Sequence, residues 1–524
     1  MIRIGEIKLK LEQDESILNK KIIKKLRIHA DDILEQSIYK RALDARKKED
    51  IHYVYTVDVK LKNEKKVLEH TRDKNVTIAP DMTYYFPQVK SFLKTRPVII
   101  GFGPAGMFSG LLLAEMGLCP IILERGEDID KRTKTVQEFW LGAKLNTESN
   151  VQFGEGGAGT FSDGKLTARS KDIRCRKVLQ EFVEAGAPKE ILYDNKPHIG
   201  TDKLKTVVKN IRKKIISLGG EVHFESKVTD LKIAENHMKC VIVNDSKRIN
   251  TDTVILATGH SARDIFELLY KKGIAMEQKP FAMGVRIEHK QNVINTVQYG
   301  ENAKKLPPAD YKLTYTTKKG RGVYTFCMCP GGYVVNASSE KGRIAINGMS
   351  EYLRNGENAN SAILVQVFPQ DLQSDSVLAG MELQRELEQK AYHVGNGAVP
   401  VQLVGDFLNG TNTNMWGEVK STCLPQTAFC NMEDILPYFI TEALKEALTE
   451  FGKKLKGFDN PYAILTAIES RSSSPVRIIR NQQRESISVG GLYPTGEGAG
   501  YAGGIVSAAV DGIITAEQIV QKNI

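Results

Sequence analysis

Apolar and charged positions alternate at the start of the chain. Residues 2–11 read IRIGEIKLKL, a pattern typical of a strand with one buried face, and a stretch with helical spacing follows. Two more strand-like runs occupy residues 37–45 and 52–61. This pattern predicts a small α+β module over residues 1–75. Residues 76–95, with two prolines and several aromatic residues, are interpreted as a connector that packs onto the next domain.

From residue 96 the apolar positions become nearly continuous. PVIIGFGPAG is typical of a buried strand that enters a glycine-rich turn, SGLLLAEMG of a helix, and PIILERG of a second buried strand. This β-α-β order predicts a parallel sheet. Residues 276–460 interrupt the pattern, and a glycine-rich turn with a small-residue helix returns near the end of the chain. We therefore predict an α/β fold in which one nucleotide-binding domain, residues 96–275 and 461–524, is split by an inserted α+β substrate or cap domain at 276–460.

Composition fits an ordinary soluble globular protein, with 41% hydrophobic and 26% charged residues among 524. The uncharged stretch 97–114 is interrupted by glycines and proline, so a strand-turn-helix explains it better than a membrane span, and we expect no membrane partner. Seven cysteines, an odd count without a dense framework, favour a reducing cytoplasm. No Cys/His spacing resembles a zinc site, so no metal is predicted.

The first chemical motif is the glycine-rich turn after the strand PVII. Gly101 would make the tight turn, Gly103 would let the backbone approach a pyrophosphate, and Gly106 would let the helix pack on the strand. Glu124 ends the next strand 18 residues after Gly106, where a carboxylate accepts hydrogen bonds from ribose hydroxyls. The cofactor-binding residues predicted from this motif are Gly101, Gly103, Pro104, Ala105, Gly106, Glu124 and Arg125.

The second motif is the strand TVILATG, which ends in Ala257, Thr258 and Gly259. These small residues would let the backbone pass close to a dinucleotide. The antiparallel meander before this strand is expected of FAD-binding rather than simple NAD-binding domains. Val228, at the start of that meander, is predicted to hydrogen-bond the adenine edge through its backbone.

The third motif is GLYPTGEGAGYAGGIVSAAVDG near the end of the chain. Gly496, Gly498 and Gly500 would permit close backbone approach, and Glu497 is placed to accept a hydrogen bond from a ribityl hydroxyl. The cofactor-binding residues predicted from this motif are Gly496, Glu497, Gly498 and Ala499. The helix that follows would direct its N-terminus at the flavin edge where negative charge gathers on reduction. Together the three motifs predict FAD, bound non-covalently, as the cofactor.

A fourth glycine-rich run, FGEGGAGTFSDGKLTARS, covers residues 153–170. It suits a loop that passes over the pyrophosphate or the isoalloxazine, although a plain surface loop is the alternative. Lys165 and Arg169 are candidates to neutralise a phosphate or a substrate anion.

These motifs, with PFAMGVRIEH, FCMCPGG, NGMS and ESRSSSPVRI, resemble the bacterial family of FAD-dependent dehydrogenases, or NAD(P)/FAD-dependent oxidoreductases. The resemblance covers residues 95–524, and the family's small N-terminal module fits residues 1–75. More distantly the chain is similar to flavoproteins of the glutathione-reductase type and to geranylgeranyl-reductase-like flavoproteins. The resemblance implies FAD at the positions named above but no particular substrate. A second GxGxxG for NAD(P)H is absent, so NAD(P)H would bind only transiently as an electron donor.

Beyond the cofactor, the catalytic residues stay open. Cys327 and Cys329 lie two apart on a predicted strand and would share one face, as a redox pair, as lining of a substrate cavity or as packing residues. Arg471 and Arg477 are weak candidates to bind a substrate carboxylate or phosphate, or to brace the FAD site. His260 follows the second motif, where a structural role competes with titration near the cofactor.

The leading hypothesis is an oxidoreductase that exchanges hydride between flavin N5 and a small-molecule substrate. The net charge is +10, and residues 1–75 hold nineteen Lys and Arg against fourteen Asp and Glu, a surplus of five. A flavoprotein that acts on RNA through this basic module is the alternative, although solvated helix faces explain the surplus more simply. The sequence leaves the oligomeric state and the direction of the reaction open.

Overall fold

The computed structural model describes residues 1–89, 93–168 and 170–522. Its N-terminal part is an antiparallel sheet of strand order β2-β3-β1-β4, covered by two helices. The apolar positions of the first strand alternate inward, and Leu18, Ile22 and Leu26 of the first helix pack against them. The last strand extends the module slightly beyond the predicted residue 75. Its elements are β1 (Ile2–Lys10), α1 (Ile17–Leu26), β2 (Ile33–Asp44), β3 (His52–Leu61), α2 (Glu64–His70) and β4 (Val76–Ile78).

The next part alternates strands and helices as predicted and then forms the antiparallel meander β10-β9-β8. Its strands are short and its helices long, because the buried strands need only a few apolar residues while each helix covers the sheet. The elements are β5 (Val98–Ile100), α3 (Pro104–Glu115), β6 (Ile121–Leu123), α4 (Ile129–Trp140), α5 (Ile173–Glu184), α6 (Thr201–Ser217), β7 (Glu221–His223), β8 (Val228–Ala234), β9 (His237–Val243), β10 (Lys247–Asn250), β11 (Val254–Leu256), α7 (Arg263–Lys271) and β12 (Met276–Gln278).

The inserted region is built on a seven-stranded sheet of order β14-β15-β18-β13-β21-β19-β20, in which only the β19–β20 pair is parallel. Its elements are β13 (Phe281–Lys290), α8 (Gln291–Tyr299), β14 (Thr314–Thr316), β15 (Gly322–Cys329), β16 (Tyr333–Asn336), β17 (Ile346–Met349), β18 (Asn358–Val367), α9 (Ala379–Val394), β19 (Val399–Leu403), α10 (Val404–Asn409), β20 (Thr427–Phe429), α11 (Tyr438–Lys454), β21 (Ile464–Glu469) and β22 (Val476–Ile478).

The inserted sheet extends past the predicted boundary at residue 460. Strand β21 pairs with β13 and β19, because all six of its residues are buried and complete the centre of that sheet. Strand β22 pairs with β12 just outside the sheet. The chain therefore returns to the part with the parallel strands only after residue 478.

The last elements are β23 (Leu492–Pro494) and α12 (Ile505–Gln521). Strand β23 joins a five-stranded parallel sheet of order β23-β11-β5-β6-β7, so that sheet takes strands from both sides of the insertion. Helix α12 packs directly on α3, where a Cβ at Gly512 would overlap the carbonyl oxygen of Ala105. Parallel and antiparallel sheets in one chain confirm the predicted mixed α/β class.

Specific polar contacts connect the parts of the chain. The Tyr84 hydroxyl, in the connector, donates to Glu517 Oε1 of α12 at 2.7 Å. The N-terminal module is held by backbone bonds from Arg41 N to Tyr193 O at 2.7 Å and from Asn195 N to Arg41 O at 2.8 Å. Of the helices in the described ranges, none combines the length and apolar character that spanning a bilayer requires.

Candidate cofactor and substrate cavity

A cavity of about 1240 Å³ lies between the parallel sheet and the inserted sheet. One side is formed by the carboxyl ends of β5, β6 and β11 and by the start of α12, and the other side by β14 and β15. Ligands in open parallel sheets bind outside the carboxyl ends of the strands, so the position is typical of a cofactor site. The volume exceeds that of a usual pocket for one small molecule, which leaves space for two ligands.

The turn after β5 is formed by glycines in close contact. Gly101 has φ of +100°, and a Cβ there would lie 2.5 Å from the carbonyl oxygen of Ala257. A Cβ at Gly106 would overlap the carbonyl oxygen of Gly101. Gly103 differs, because its Cβ would meet only the Cα of Gly157, at 3.8 Å. Gly101 and Gly106 therefore pack β5, α3 and β11 together, while Gly103 leaves open surface toward the cavity.

Glu124 is buried at the end of β6 and accepts three backbone hydrogen bonds. Its Oε2 accepts from Phe102 N at 2.9 Å, and its Oε1 accepts from Gly126 N at 3.0 Å and Gly154 N at 2.9 Å. A carboxylate offers about four acceptor positions, so one remains on Oε2. Glu124 thus holds three loops together and keeps the acceptor that the predicted ribose contact needs.

Arg125 also lines the cavity. Its guanidinium pairs with Asp264 and lies 4.5 Å above the centre of the Phe153 ring. The side chain is therefore anchored and presents a flat cationic surface to the cavity.

The loop 150–157 is fixed by Arg132, which the sequence analysis did not single out. This fully buried guanidinium donates to four carbonyls, those of Asn150 (2.9 Å), Val151 (3.0 Å), Glu155 (2.6 Å) and Gly157 (3.0 Å). Burial lowers the pKa of Arg132 to about 10, so it stays charged at neutral pH. The contacts bring Gly157 against Gly103 and close this side of the cavity.

Glu497 and His260 face each other at the cavity wall. His260 Nε2 donates to the carbonyl of Arg471 at 2.9 Å, and Nδ1 lies 3.7 Å from Glu497 Oε1. Burial raises the pKa of Glu497 to about 7, although the charge of Lys279 acts in the opposite direction. Burial, together with the charge of Arg471, lowers the pKa of His260 to about 4. The histidine is therefore neutral and the carboxyl group is half protonated near neutral pH.

The two cysteines of β15 do not share a face, which corrects the sequence prediction. A β-bulge interrupts the pairing with β18 between Phe326 and Cys329, and Cys327 has φ of 42°. Cys327 is exposed to the cavity, whereas Cys329 is buried and its Sγ donates to the carbonyl of Cys327 at 3.3 Å. Burial inside the protein raises the pKa of Cys327 to about 12 and also raises that of Cys329. Both thiols are therefore neutral.

Two carboxylates beside the bulge are neutralised by arginines. Asp163 accepts from Arg354 at 2.9 and 2.6 Å, and burial would raise its pKa, but the charges of Arg354 and Lys165 lower it. Glu469 pairs with the fully buried Arg286 at 3.0 and 3.1 Å. Of these residues only Lys165 was predicted. Its ammonium donates to the carbonyl of Met328, so it lies against the inserted sheet.

The two candidate arginines are placed differently. Arg471 lines the cavity, but Glu388 holds its guanidinium at 3.0 and 2.9 Å and pairs with Arg263 as well. Arg477 does not line the cavity and pairs with Glu277 at 2.9 Å. Arg471 is therefore anchored at the cavity wall and Arg477 lies away from it.

Most predicted site residues meet in this one cavity. Those that line it are Gly101, Gly103, Pro104, Ala105, Glu124, Arg125, Lys165, Val228, Ala257, Thr258, Gly259, Cys327, Cys329, Arg471 and Glu497. Gly106, Gly496, Gly498 and Ala499 lie behind its wall, where a Cβ at Gly498 would come within 2.6 Å of the Gly259 backbone. Arg169 lies outside the described residues. Within the described ranges no cluster of three or more His, Cys, Asp or Glu residues has the geometry to hold a metal ion.

Two known families match parts of the chain. Residues 280–472 match the family described as "FAD-dependent protein, C-terminal domain-like". That range ends shortly after β21, as the strand pairing of the inserted sheet does. Residues 1–60 match a domain of unknown function, DUF8436.

Among curated proteins, an "Uncharacterized protein" of Clostridium beijerinckii is 52% identical over 529 residues, which covers 99% of each chain. Among solved structures, a variant of the flavin-dependent brominase Bmp2 is 13% identical with a TM-score of 0.37, over 82% of this chain and 80% of that one. Glycine oxidase from Bacillus cereus is 10% identical with a TM-score of 0.30, over 81% and 97%.

Proposed function

We propose that this chain, which belongs to the same family as its Clostridium beijerinckii relative and has FAD as its cofactor, is an oxidoreductase acting on a small molecule. When bound, FAD supplies hydride exchange at the flavin N5. The chain's own residues bind and orient FAD and the substrate, and they donate or accept the proton that accompanies the hydride. The observation that carries the proposal is that two helices, α3 and α12, both begin at a single cavity of about 1240 Å³, which is larger than a usual pocket for one small molecule.

The start of α3 suits the pyrophosphate. The first N–H groups of a helix have no intrahelical partner, and no side chain caps α3. A cradle for phosphate oxygens is available because Gly103 and Gly157 approach each other without side chains. The remaining acceptor on Glu124 is placed for a ribose hydroxyl at the neighbouring strand end.

The start of α12 suits the electron-rich edge of the flavin. No side chain caps this helix, and residues 503–508 line the cavity. Its amide dipoles would favour the negative charge that reduction brings, which is the part of catalysis the protein tunes.

Glu497 is the residue we propose to hold the proton. Its carboxyl group titrates near neutral pH and faces the cavity beside a neutral histidine, whose Nδ1 accepts from it when the two approach. A group with a pKa near the working pH is an effective general acid or base.

The test is an anaerobic titration of purified holoprotein with NADH and NADPH, following the visible absorption band of the flavin. We expect FAD to copurify at about one per chain and one of the two nucleotides to bleach the band within seconds. A band that resists both nucleotides but bleaches with a metabolite of a screened panel supports a dehydrogenase that is reduced by its own substrate. Protein that carries no flavin and binds none when FAD is added contradicts the proposal.

A further inference from the structure

The charges around the β15 bulge leave one cation without a partner of its own. Arg354 is paired with Asp163, and Arg286 with Glu469, so each carboxylate there already has an arginine. Lys165 adds a third positive charge, and its ammonium contacts the carbonyl of Met328. In the described part of the chain no carboxylate forms a salt bridge with Lys165.

The ammonium therefore keeps hydrogen-bonding capacity. It has three N–H donors, and one is used by the Met328 carbonyl. Both cysteines of the bulge are neutral thiols, so they add no negative charge. A half-buried cation in such a setting favours an anion that brings its own charge-assisted hydrogen bonds.

Apart from Lys312, the other Lys and Arg side chains that line the cavity in the described ranges are paired with carboxylates. Arg125 pairs with Asp264, Arg471 with Glu388 and Lys196 with Asp310. Lys312 is exposed on the segment before β14. Among the described residues, Lys165 is thus the cation without a carboxylate partner that lies within the cavity rather than at its rim.

An aromatic wall precedes the bulge on the same strand. Tyr324 and Phe326 line the cavity from one face of β15, and their rings meet edge to face at 6.4 Å. Ala282, Ala362 and Leu364 pack behind them. Phe326 and Met328 are two positions apart on the strand, which corresponds to at most roughly 7 Å.

We propose that the part of the cavity beside the β15 bulge binds a monocarboxylate with a compact aromatic body. Lys165 would be its counter-ion, and Phe326 and Tyr324 would lie against its ring. The inference rests on the proposed function, since it names the substrate class of the same site. Of the two roles that the sequence left open for Lys165, a cofactor phosphate or a substrate anion, the inference assigns the second.

The experiment compares benzoate and phenylacetate with their neutral amides on purified holoprotein. Binding is followed by the perturbation of the flavin band and by calorimetry. We expect the acids to bind at least about tenfold tighter than the amides, and Lys165→Met to abolish that preference. Lys165→Arg keeps it within about threefold, and Lys312→Met is the matched control that leaves it unchanged.

Equal binding of acids and amides by the native protein, or absence of binding by both, overturns the inference. An acid preference that survives in Lys165→Met overturns it as well. The FAD content of each sample is measured first. A protein without FAD speaks against the proposed function, whereas a fully loaded protein without acid preference speaks against this inference alone. If Lys165→Met does not fold, the comparison in the native protein and in Lys165→Arg decides.

Discussion

The two sides of the cavity are built from different parts of the chain. On the cofactor side the wall is mostly backbone, and Gly101 and Gly106 bring main-chain atoms of β5, α3 and β11 into direct contact. On the substrate side the wall is made of paired side chains, such as Asp163 with Arg354 and Arg286 with Glu469. Where backbone atoms touch, as at Gly106, the wall does not tolerate an added methyl group, whereas a side-chain wall tolerates exchange of single groups that carry no charge.

The largest effect is expected from Gly106→Ala. The new Cβ would overlap the carbonyl oxygen of Gly101, so the turn and α3 must separate. We expect a loss of about 3 kcal/mol in the free energy of unfolding, together with loss of FAD, measured by urea denaturation and by flavin content.

Gly103→Ala is the matched control, because its Cβ would meet only the Cα of Gly157, at 3.8 Å. We expect the apoprotein to keep its stability to within about 0.5 kcal/mol while its affinity for FAD falls. Equal stability of the two variants would show that the turn is not closed by glycine contacts.

The next effect concerns Arg132, a side chain that supports the cofactor side. Arg132→Met removes the donor for four carbonyls, and we expect a loss of about 2–4 kcal/mol in the free energy of unfolding. The loop 150–157 should also become accessible to limited proteolysis, and FAD should dissociate faster. Lys134→Met, on the exposed face of the same helix, serves as the control. Similar losses of stability in both variants would contradict the role of Arg132 in fixing the loop 150–157.

A smaller effect is expected from Glu497, which lies where the two sides meet. Its pKa is about 7 in the folded chain against an ordinary 4.5, so between these pH values the folded state holds a proton that the unfolded state has released. The stability that this group contributes is therefore present below pH 4.5 and lost as pH rises through 7.

Relative to Glu497→Gln, the native apoprotein should lose about 1–2 kcal/mol between about pH 5 and pH 8, a modest figure because 31% of the side chain is exposed. The measurement is urea unfolding of both proteins across this range. The variant removes the titrating group, so the difference between the two curves cancels the histidines that titrate in the same window. Parallel curves would mean that the carboxyl group is ionised throughout.

The smallest effect is expected from Cys327→Ser on the substrate side. The thiol is neutral, and serine is of similar size, so FAD content and turnover should stay within about twofold. Turnover is measured with the electron donor found for the native protein. A loss of a hundredfold or more would instead show that the thiol takes part in the reaction.

The same difference explains what the sequence could predict. Close backbone contacts require glycine at fixed spacing, so the turn at Gly101 could be placed from the sequence. The meander before β11 could also be placed, because its strands have a recognisable pattern of apolar and polar positions. The apolar stripe of α6 (Thr201–Ser217) is likewise visible in the sequence, because its buried residues recur at helical spacing.

The substrate side could not be predicted, because its partners are far apart in the chain. Asp163 and Arg354 are separated by 191 positions, and Arg286 and Glu469 by 183. No local pattern marks such pairs. The bulge at Cys327 depends on how β15 meets β18, and this register becomes visible only when the sheet is assembled.

The arrangement of the parallel sheet has a consequence for synthesis of the chain on the ribosome. Strand β23 pairs with β11, yet residues 257–491 are made between them, which takes on the order of 10–50 s at usual elongation rates. During that interval the inserted sheet has all its strands only after β21 has been made. Until β23 and α12 are synthesised, one edge of β11 has no paired strand and α3 lacks its packing partner. The nascent chain therefore exposes an unpaired strand edge of the kind that chaperones protect. The parallel sheet is complete only after β23, and the cavity wall at residues 503–508 only after the start of α12, so a chain that terminates earlier lacks part of the cavity.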